Sequence, residues 1–154
     1  MRNASAFIII FGLLLAAPCI VSATEAVAAE GVQLSADQAL SIAEKQFEII
    51  KLLVKQGRFD QVLPAWHQIL DLNLTGEYEE SVAKSASYIA YLLSESKQYA
   101  LGHELLDETI ARMQLPGNKA SLFQIKAYLY RSEGKLQKAV EMLERAVELQ
   151  RQQH

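Results

Sequence analysis

Histidine and cysteine are the residues of this sequence that could most readily bind a metal or act as nucleophiles, and both are scarce. The three histidines are His67, His103 and His154, and no two stand three or four residues apart, the spacing that places metal ligands on one face of a helix. His103 has Glu104 and Asp107 nearby, but we expect it to be a residue of a helix surface. We therefore predict no metal site.

The single cysteine, Cys19, lies in an N-terminal segment that has the features of a secretory signal peptide. Residues 1–23 contain one basic residue, then an uncharged apolar run, and they end in small residues at Ala23. Cleavage there would remove Cys19, and Pro18 disfavours the alternative of a lipid attached to it. An uncleaved anchor formed by residues 4–23 is a further alternative, because the run is about long enough to span a bilayer. We predict export, to a periplasm or out of the cell, or anchoring in the membrane by that segment alone.

Composition and motif content exclude several functional classes. The 154 residues are 51% hydrophobic and carry a formal charge of -3, so the chain lacks the basic excess of a nucleic-acid-binding protein. It contains no Gly-rich phosphate loop, no G-x-S-x-G nucleophile elbow and no C-x-x-C-H haem-attachment motif. Adjacent acidic residues such as Glu79 and Glu80 diverge around a helix, so solvated faces account for them. We expect no catalytic residues, no cofactor and no nucleic-acid partner.

Hydrophobic periodicity predicts six helices and no strands after a flexible leader at residues 24–34. Ser35 and Gln38 form a capping box at the start of the first helix, which ends at Gly57. The second helix covers residues 60–72, with a late start or a bend at Pro64. The third follows the turn at residues 73–76, and the fourth begins near residue 99. Asn118 is the predicted N-cap of the fifth helix, and the sixth begins near residue 136.

The turns inside the three helix pairs align with one another. They read Gly57-Arg58-Phe59, Lys97-Gln98-Tyr99 and Gly134-Lys135-Leu136, at separations of 40 and 37 residues, which indicates an internal repeat. The third unit, with EGKLQKAVEMLERAVEL after its turn and with Ala139 and Ala146 at close helix contacts, resembles the tetratricopeptide repeat (TPR). That resemblance implies an all-α α-solenoid of about six antiparallel helices over residues 35–152. An unrelated six-helix bundle is the alternative that periodicity leaves open.

In the proteins that this chain resembles, the first helix of each unit lines a concave groove that holds an extended peptide or a partner helix. By register, the groove here contains Phe47, Lys51, Lys55, Lys84, Tyr88, Tyr91, Gln124, Tyr128 and Arg131. Four of these are cations beside aromatic rings, a combination that suits an acidic protein segment. The alternative is that the rings are packing residues and the lysines only keep the surface soluble.

The sixth helix has an apolar arc wider than one partner helix needs, and the chain ends shortly after it. We therefore predict a self-association face on this helix, at Met142, Ala146 and Leu149, for a homodimer or for docking on a larger partner. The function that we infer from the sequence is that of a non-catalytic, exported, TPR-like adaptor or scaffold. The alternatives are a helical bundle that binds a small ligand or a metal, and a self-associating structural subunit.

Overall fold

The structure, a computed structural model, describes residues 34–152, and this part of the chain is all-helical. Its six α-helices are α1 (Ala36–Lys55), α2 (Val62–Leu70), α3 (Glu79–Glu95), α4 (Tyr99–Arg112), α5 (Pro116–Ser132) and α6 (Leu136–Arg151). Short 3-10 turns at Phe59–Gln61 and Gly76–Tyr78 precede α2 and α3. The predicted all-α class is therefore confirmed. The predicted signal peptide and residues 24–33 of the predicted leader lie outside the described residues.

The capping box at the start of α1 is present as predicted. The Ser35 hydroxyl accepts the backbone N–H of Gln38 at 3.2 Å, and the Ser35 N–H donates to the Gln38 side-chain oxygen at 3.0 Å. Each bond satisfies a backbone donor that the first turn of a helix leaves without a partner. None of the helices within residues 34–152 combines the length and the hydropathy that a membrane span requires.

The three turns inside the helix pairs have one geometry, which confirms the register of the internal repeat. Gly57, Lys97 and Gly134 occupy equivalent positions and have φ angles of 72°, 58° and 78°. At each turn the N–H of this residue donates to the carbonyl three residues earlier, and the next N–H donates to the carbonyl five residues before it. This pattern is the Schellman helix end, which favours glycine because a left-handed φ crowds any Cβ.

The helices pack in consecutive pairs, and the pairs pack on one another. Within pairs α1 contacts α2, α3 contacts α4 and α5 contacts α6. Between pairs α3 lies against both α1 and α5, and α4 lies against α2 and α5, whereas α6 packs chiefly against α5. The largest fully buried side chain within residues 34–152 is Trp66, which donates its indole N–H to the Thr109 hydroxyl at 3.0 Å. That bond lets a polar ring lie inside an apolar core.

Prolines lie in the first turns of two helices, α2 and α5, and bear on where each of these helices begins. Pro64 lies in the first turn of α2, where the N–H that proline lacks would have no helical partner, so the late start of this helix is confirmed. The prediction of Asn118 as the N-cap of the fifth helix is wrong, because Pro116 is the first residue of α5 and Leu115 is its N-cap. Proline favours this first position, since its φ already suits a helix.

Gly102 allows α4 and α5 to approach closely. A Cβ atom at this position would lie 2.7 Å from the Cδ2 atom of Leu129, which is fully buried on α5. In the repeat register Gly102 is equivalent to Ala139 of the third unit, and here even a methyl group would displace the facing leucine.

Candidate partner-binding face

Four aromatic rings from α1, α3 and α5 lie side by side and form what we call the aromatic face: Phe47, Tyr88, Tyr91 and Tyr128. The rings of Phe47 and Tyr88 meet edge to face, with centroids 5.8 Å apart and planes at 67°. The rings of Tyr91 and Tyr128 are 6.0 Å apart and tilted by 32°. Because Tyr88 and Tyr91 are one turn apart on α3, the two contacts join into one row across three helices.

The rings of this row differ in exposure. Tyr88 is 48% and Tyr91 is 46% exposed, whereas Phe47 and Tyr128 are half-buried. Phe47 also packs against the hydrophobic core. The two outer rings of the row therefore contribute to packing between helices, and the two tyrosines of α3 present much of their surface to solvent.

Two predicted cations lie over rings of the aromatic face. The Lys51 Nζ atom is 5.0 Å from the centroid of the Phe47 ring, and the guanidinium carbon of Arg131 is 5.6 Å from that of Tyr128. These distances are within the range of cation–π attraction. Each end of the row thus has a positive charge held against a ring.

The remaining contacts of the basic residues distinguish paired from unpaired charges. Lys51 lies 2.6 Å from Glu48, and Lys84 lies 2.7 Å from Glu80. The hydrogen bond and the charge of Lys84 hold the pKa of the Glu80 carboxyl below its usual value. Within residues 34–152, no carboxylate lies within 4 Å of Lys55 or of Arg131. These two cations are therefore the ones most readily available to an anionic partner.

Two open cavities adjoin the aromatic face. The larger, of about 620 Å³, lies between α3 and the start of α5 and is lined by Lys84, Ser87, Tyr88, Asn118 and Ser121 among others. The smaller, of about 170 Å³, lies between α5 and α6, where Gln124, Tyr128 and Arg131 meet Leu143. Predicted groove residues thus line both spaces: Lys84 and Tyr88 the larger one, and Gln124, Tyr128 and Arg131 the smaller one. Lys55, one turn beyond Lys51 on α1, is exposed and lines neither space.

His103 belongs to a polar cluster between α4 and the end of α5, and the prediction that it lies on a helix surface is wrong. Its Nε2 atom is 2.6 Å from Glu133 Oε1, its ring stacks on Tyr130 at 4.0 Å, and its side chain is 14% exposed. Burial works against ionisation of Glu133, but hydrogen bonds from Lys135 and His103 outweigh it and lower the pKa of this carboxyl. Within residues 34–152, no group of three or more metal-ligand side chains comes together.

Glu79 is a second polar residue whose place the sequence does not reveal. It is 1% exposed, so the prediction of a solvated Glu79-Glu80 face is wrong for its first member. The Glu79 carboxylate accepts the N–H of Leu115 at 2.8 Å, the N–H of Gln114 at 3.0 Å and the side-chain N–H of Asn118 at 3.1 Å. The charge is thus satisfied by donors at the start of α5, which periodicity along α3 cannot show.

The predicted self-association face on α6 also needs correction. Met142 is 8% and Ala146 is 1% exposed, and Leu149 is half-buried. Met142 packs with Ala127, Phe123 and Tyr130 of α5. These positions therefore attach α6 to α5. The apolar side chains that α6 leaves exposed are on a neighbouring face, at Leu136, Val140, Leu143 and Val147.

Comparisons of the chain with protein-family models, with curated proteins and with solved structures find no match. The described residues define an all-helical domain of three packed helix pairs with an aromatic, cation-bearing face on the first helices of the pairs.

Proposed function

We propose that this protein is a non-catalytic, exported adaptor or scaffold with a TPR-like architecture. In this proposal the three helix pairs form an α-solenoid, and a segment of a partner protein lies in a concave groove along the aromatic face. The architecture is supported by the shared geometry of the three turns and by the packing between pairs, since α3 lies against α1 and α5 lies against α3 and α4. Neither observation depends on the aromatic residues.

The observation that carries the binding proposal is the row formed by two ring pairs across α1, α3 and α5, Phe47 with Tyr88 and Tyr91 with Tyr128. Tyr88 and Tyr91 remain about half exposed although both contact another ring. Tyrosines of this kind provide rigid apolar area together with a hydroxyl, a combination enriched at binding interfaces. A surface whose only role is to keep a helix soluble would carry polar side chains in place of such a row of rings.

The partner segment that suits this face is acidic with apolar or aromatic side chains. Arg131 and Lys55 have no carboxylate partner within residues 34–152, and Lys51, which is paired with Glu48, lies over the Phe47 ring. A carboxylate that approached these cations would gain charge-assisted hydrogen bonds, while apolar side chains could enter the cavity of about 620 Å³ beside Tyr88. An extended peptide would place both kinds of side chain along the row.

The test is a crosslinked pull-down from the native envelope or exported fraction with a charge-reversed face. The variant combines Lys51→Glu, Lys55→Glu and Arg131→Glu, and its helicity is checked by circular dichroism. The control carries the same change in charge away from the face, as Arg112→Glu, Arg145→Glu and Arg151→Glu. We expect a specific band with the wild type and with the control, and its loss with the face variant. A band that survives in the folded face variant would contradict the proposal.

A second candidate function is the binding of a small ligand, and the larger cavity is the observation that favours it. Its volume of about 620 Å³ is in the range of ligand pockets, and its lining combines the hydroxyls of Ser87 and Ser121 with the ring of Tyr88 and the methyl group of Ala83. An absorption spectrum, a metal analysis and native mass spectrometry of the purified protein separate the two candidates. A stoichiometric small molecule or metal would favour this second function over the adaptor.

A further inference from the structure

Large exposed apolar side chains concentrate on the first and the last helix of the described residues. On α1 they form the α1 stripe, Ile42, Ile49 and Leu52, which are 40%, 47% and 55% exposed. On α6 they form the α6 stripe, Leu136, Val140, Leu143 and Val147, which are 45–63% exposed. Contiguous apolar patches of this kind mark interaction surfaces on soluble proteins.

The repeat register shows what the positions of the α1 stripe do elsewhere in the molecule. Forty residues along the chain, the equivalents on α3 are Val82, Ile89 and Leu92. Val82 is 5% exposed, Ile89 is fully buried and Leu92 is half-buried. Val82 lines a small cavity with Phe47 of α1 and Ile69 of α2, so this side of α3 faces the preceding pair. The α1 stripe is therefore the surface with which a first helix covers the pair before it.

The same register shows that positions equivalent to the α6 stripe contact the helix pair that follows them. Its equivalents on α4 are Tyr99, His103, Leu106 and Ile110, and those in the first pair are Phe59, Leu63, Trp66 and Leu70. All eight are buried or half-buried. His103 contacts Tyr130 and Glu133 of the next pair, and Trp66 bonds Thr109 of the next pair. The α6 stripe is therefore the surface that a following pair would cover.

We propose that a second copy of the chain covers the α6 stripe with its own α1 stripe, so that copies associate head to tail. The contact repeats the one that α5 makes with α3 and α4 of the second pair. At that junction Lys126 of α5 pairs with Asp107 of α4, and Leu129 packs against Gly102. The two surfaces are the two halves of one junction, and both are present on every copy.

The observations favour the head-to-tail contact over a symmetric contact between two α6 helices. A symmetric contact would cover the α6 stripe but leave Ile42, Ile49 and Leu52 exposed, whereas the head-to-tail contact buries both stripes. An ion pair can also form across this contact, since Lys45 is exposed in the middle of the α1 stripe and Glu144, one turn after Val140, is exposed beside the α6 stripe. Because the contact is heterologous, each copy keeps one free half and further copies can add.

The test uses the protein in the form in which the cell accumulates it. Two variants are compared, each with one charged substitution in one of the two stripes. Ile49→Glu disables the α1 stripe and Val140→Glu disables the α6 stripe; both positions are about half exposed, so the fold tolerates the change. Ala100→Glu, on the exposed side of α4 and in neither stripe, is the control. Mass is measured by light scattering and sedimentation up to high micromolar concentration, and helicity by circular dichroism.

We expect the wild type and the control to form dimers and larger species as concentration rises, and each stripe variant alone to associate at least about tenfold more weakly. An equimolar mixture of the two variants restores dimers and stops there, because only one intact junction can form. A monomeric wild type overturns the proposal, and so does an Ile49→Glu variant that still dimerises, which would indicate a symmetric contact through α6. Neither variant alters the cations or rings of the aromatic face, so the outcome is independent of partner binding there.

Discussion

The carboxylate of Glu79 accepts the backbone N–H of Leu115 at 2.8 Å, and thereby joins the first residue of α3 to the residue that caps α5. Two more donors complete its environment, the N–H of Gln114 and the side chain of Asn118. A buried charge of this kind is tolerated because the donors replace the water that it loses.

Replacing Glu79 by Gln should destabilise the fold. One of its two carboxylate oxygens becomes an amide nitrogen, which cannot accept a hydrogen bond, so the part-buried N–H of either Gln114 or Leu115 loses its partner. We expect a loss of about 2–3 kcal/mol in the free energy of unfolding, measured by urea denaturation. Glu80→Gln, on the exposed neighbour, is the matched control and should leave the midpoint unchanged. Equal midpoints for the two variants would contradict this role of Glu79.

Lys97 is the one member of the three equivalent turn positions that is not glycine, and it has a φ of 58°. Lys97→Gly should raise the free energy of unfolding by about 1 kcal/mol, because glycine adopts a left-handed φ without strain. Lys97→Ala keeps the Cβ atom and should give no comparable gain. Gly134→Ala, at the equivalent turn, should cost about 1 kcal/mol. A loss of stability in Lys97→Gly would show that the lysine side chain stabilises the turn in another way.

The lowered pKa of Glu133 predicts a pH dependence of stability. A carboxyl that ionises more readily in the folded state than in the unfolded state stabilises the fold above its ordinary pKa, and this contribution disappears as the pH falls through the lowered folded pKa. The difference in unfolding free energy between the wild type and Glu133→Gln should therefore be largest near neutral pH and shrink below about pH 4.5. Denaturant titrations over this range measure it. A difference that stays constant with pH would mean that the carboxylate charge is irrelevant.

Lys126 is 6% exposed and pairs with Asp107, at a position whose equivalents in the other pairs are Ile49 and Ile89. Lys126→Met should leave stability unchanged or raise it by up to about 2 kcal/mol, since the apolar side chain carries no desolvation cost. Asp107→Asn alone should lower it, by about 1 kcal/mol, because the ammonium then remains buried with a weaker partner. The two changes together should resemble Lys126→Met alone. If the double variant instead kept the loss of stability seen with Asp107→Asn, Asp107 would stabilise the fold through contacts other than this pair.

Local patterns in the sequence predict the elements of this fold well. Ser35 and Gln38 cap α1, and the turns at Gly57, Lys97 and Gly134 mark the repeat, because each signal depends on contacts within a few residues of chain. The same register selects the residues that line the aromatic face, and rings from neighbouring helices do meet there.

Burial and long-range polar partners are what the sequence does not reveal. Glu79 and His103 read as surface residues, since their partners are 30 or more residues away and no local pattern announces them. Met142 and Ala146 belong to an apolar arc on α6 whose width is visible from the sequence. Which side of that arc faces α5 depends on the angle at which the two helices cross, and only the structure supplies it.

The bonds of Glu79 also bear on how the molecule opens. Because a carboxylate on α3 accepts the amides of Gln114 and Leu115, the third pair cannot detach from the second without breaking these bonds. Helical repeats with only apolar contacts can fray from one end, a unit at a time. We therefore expect the last two pairs to unfold as a single cooperative unit, and the amides of Gln114 and Leu115 to exchange their hydrogens with solvent only as slowly as that unit unfolds.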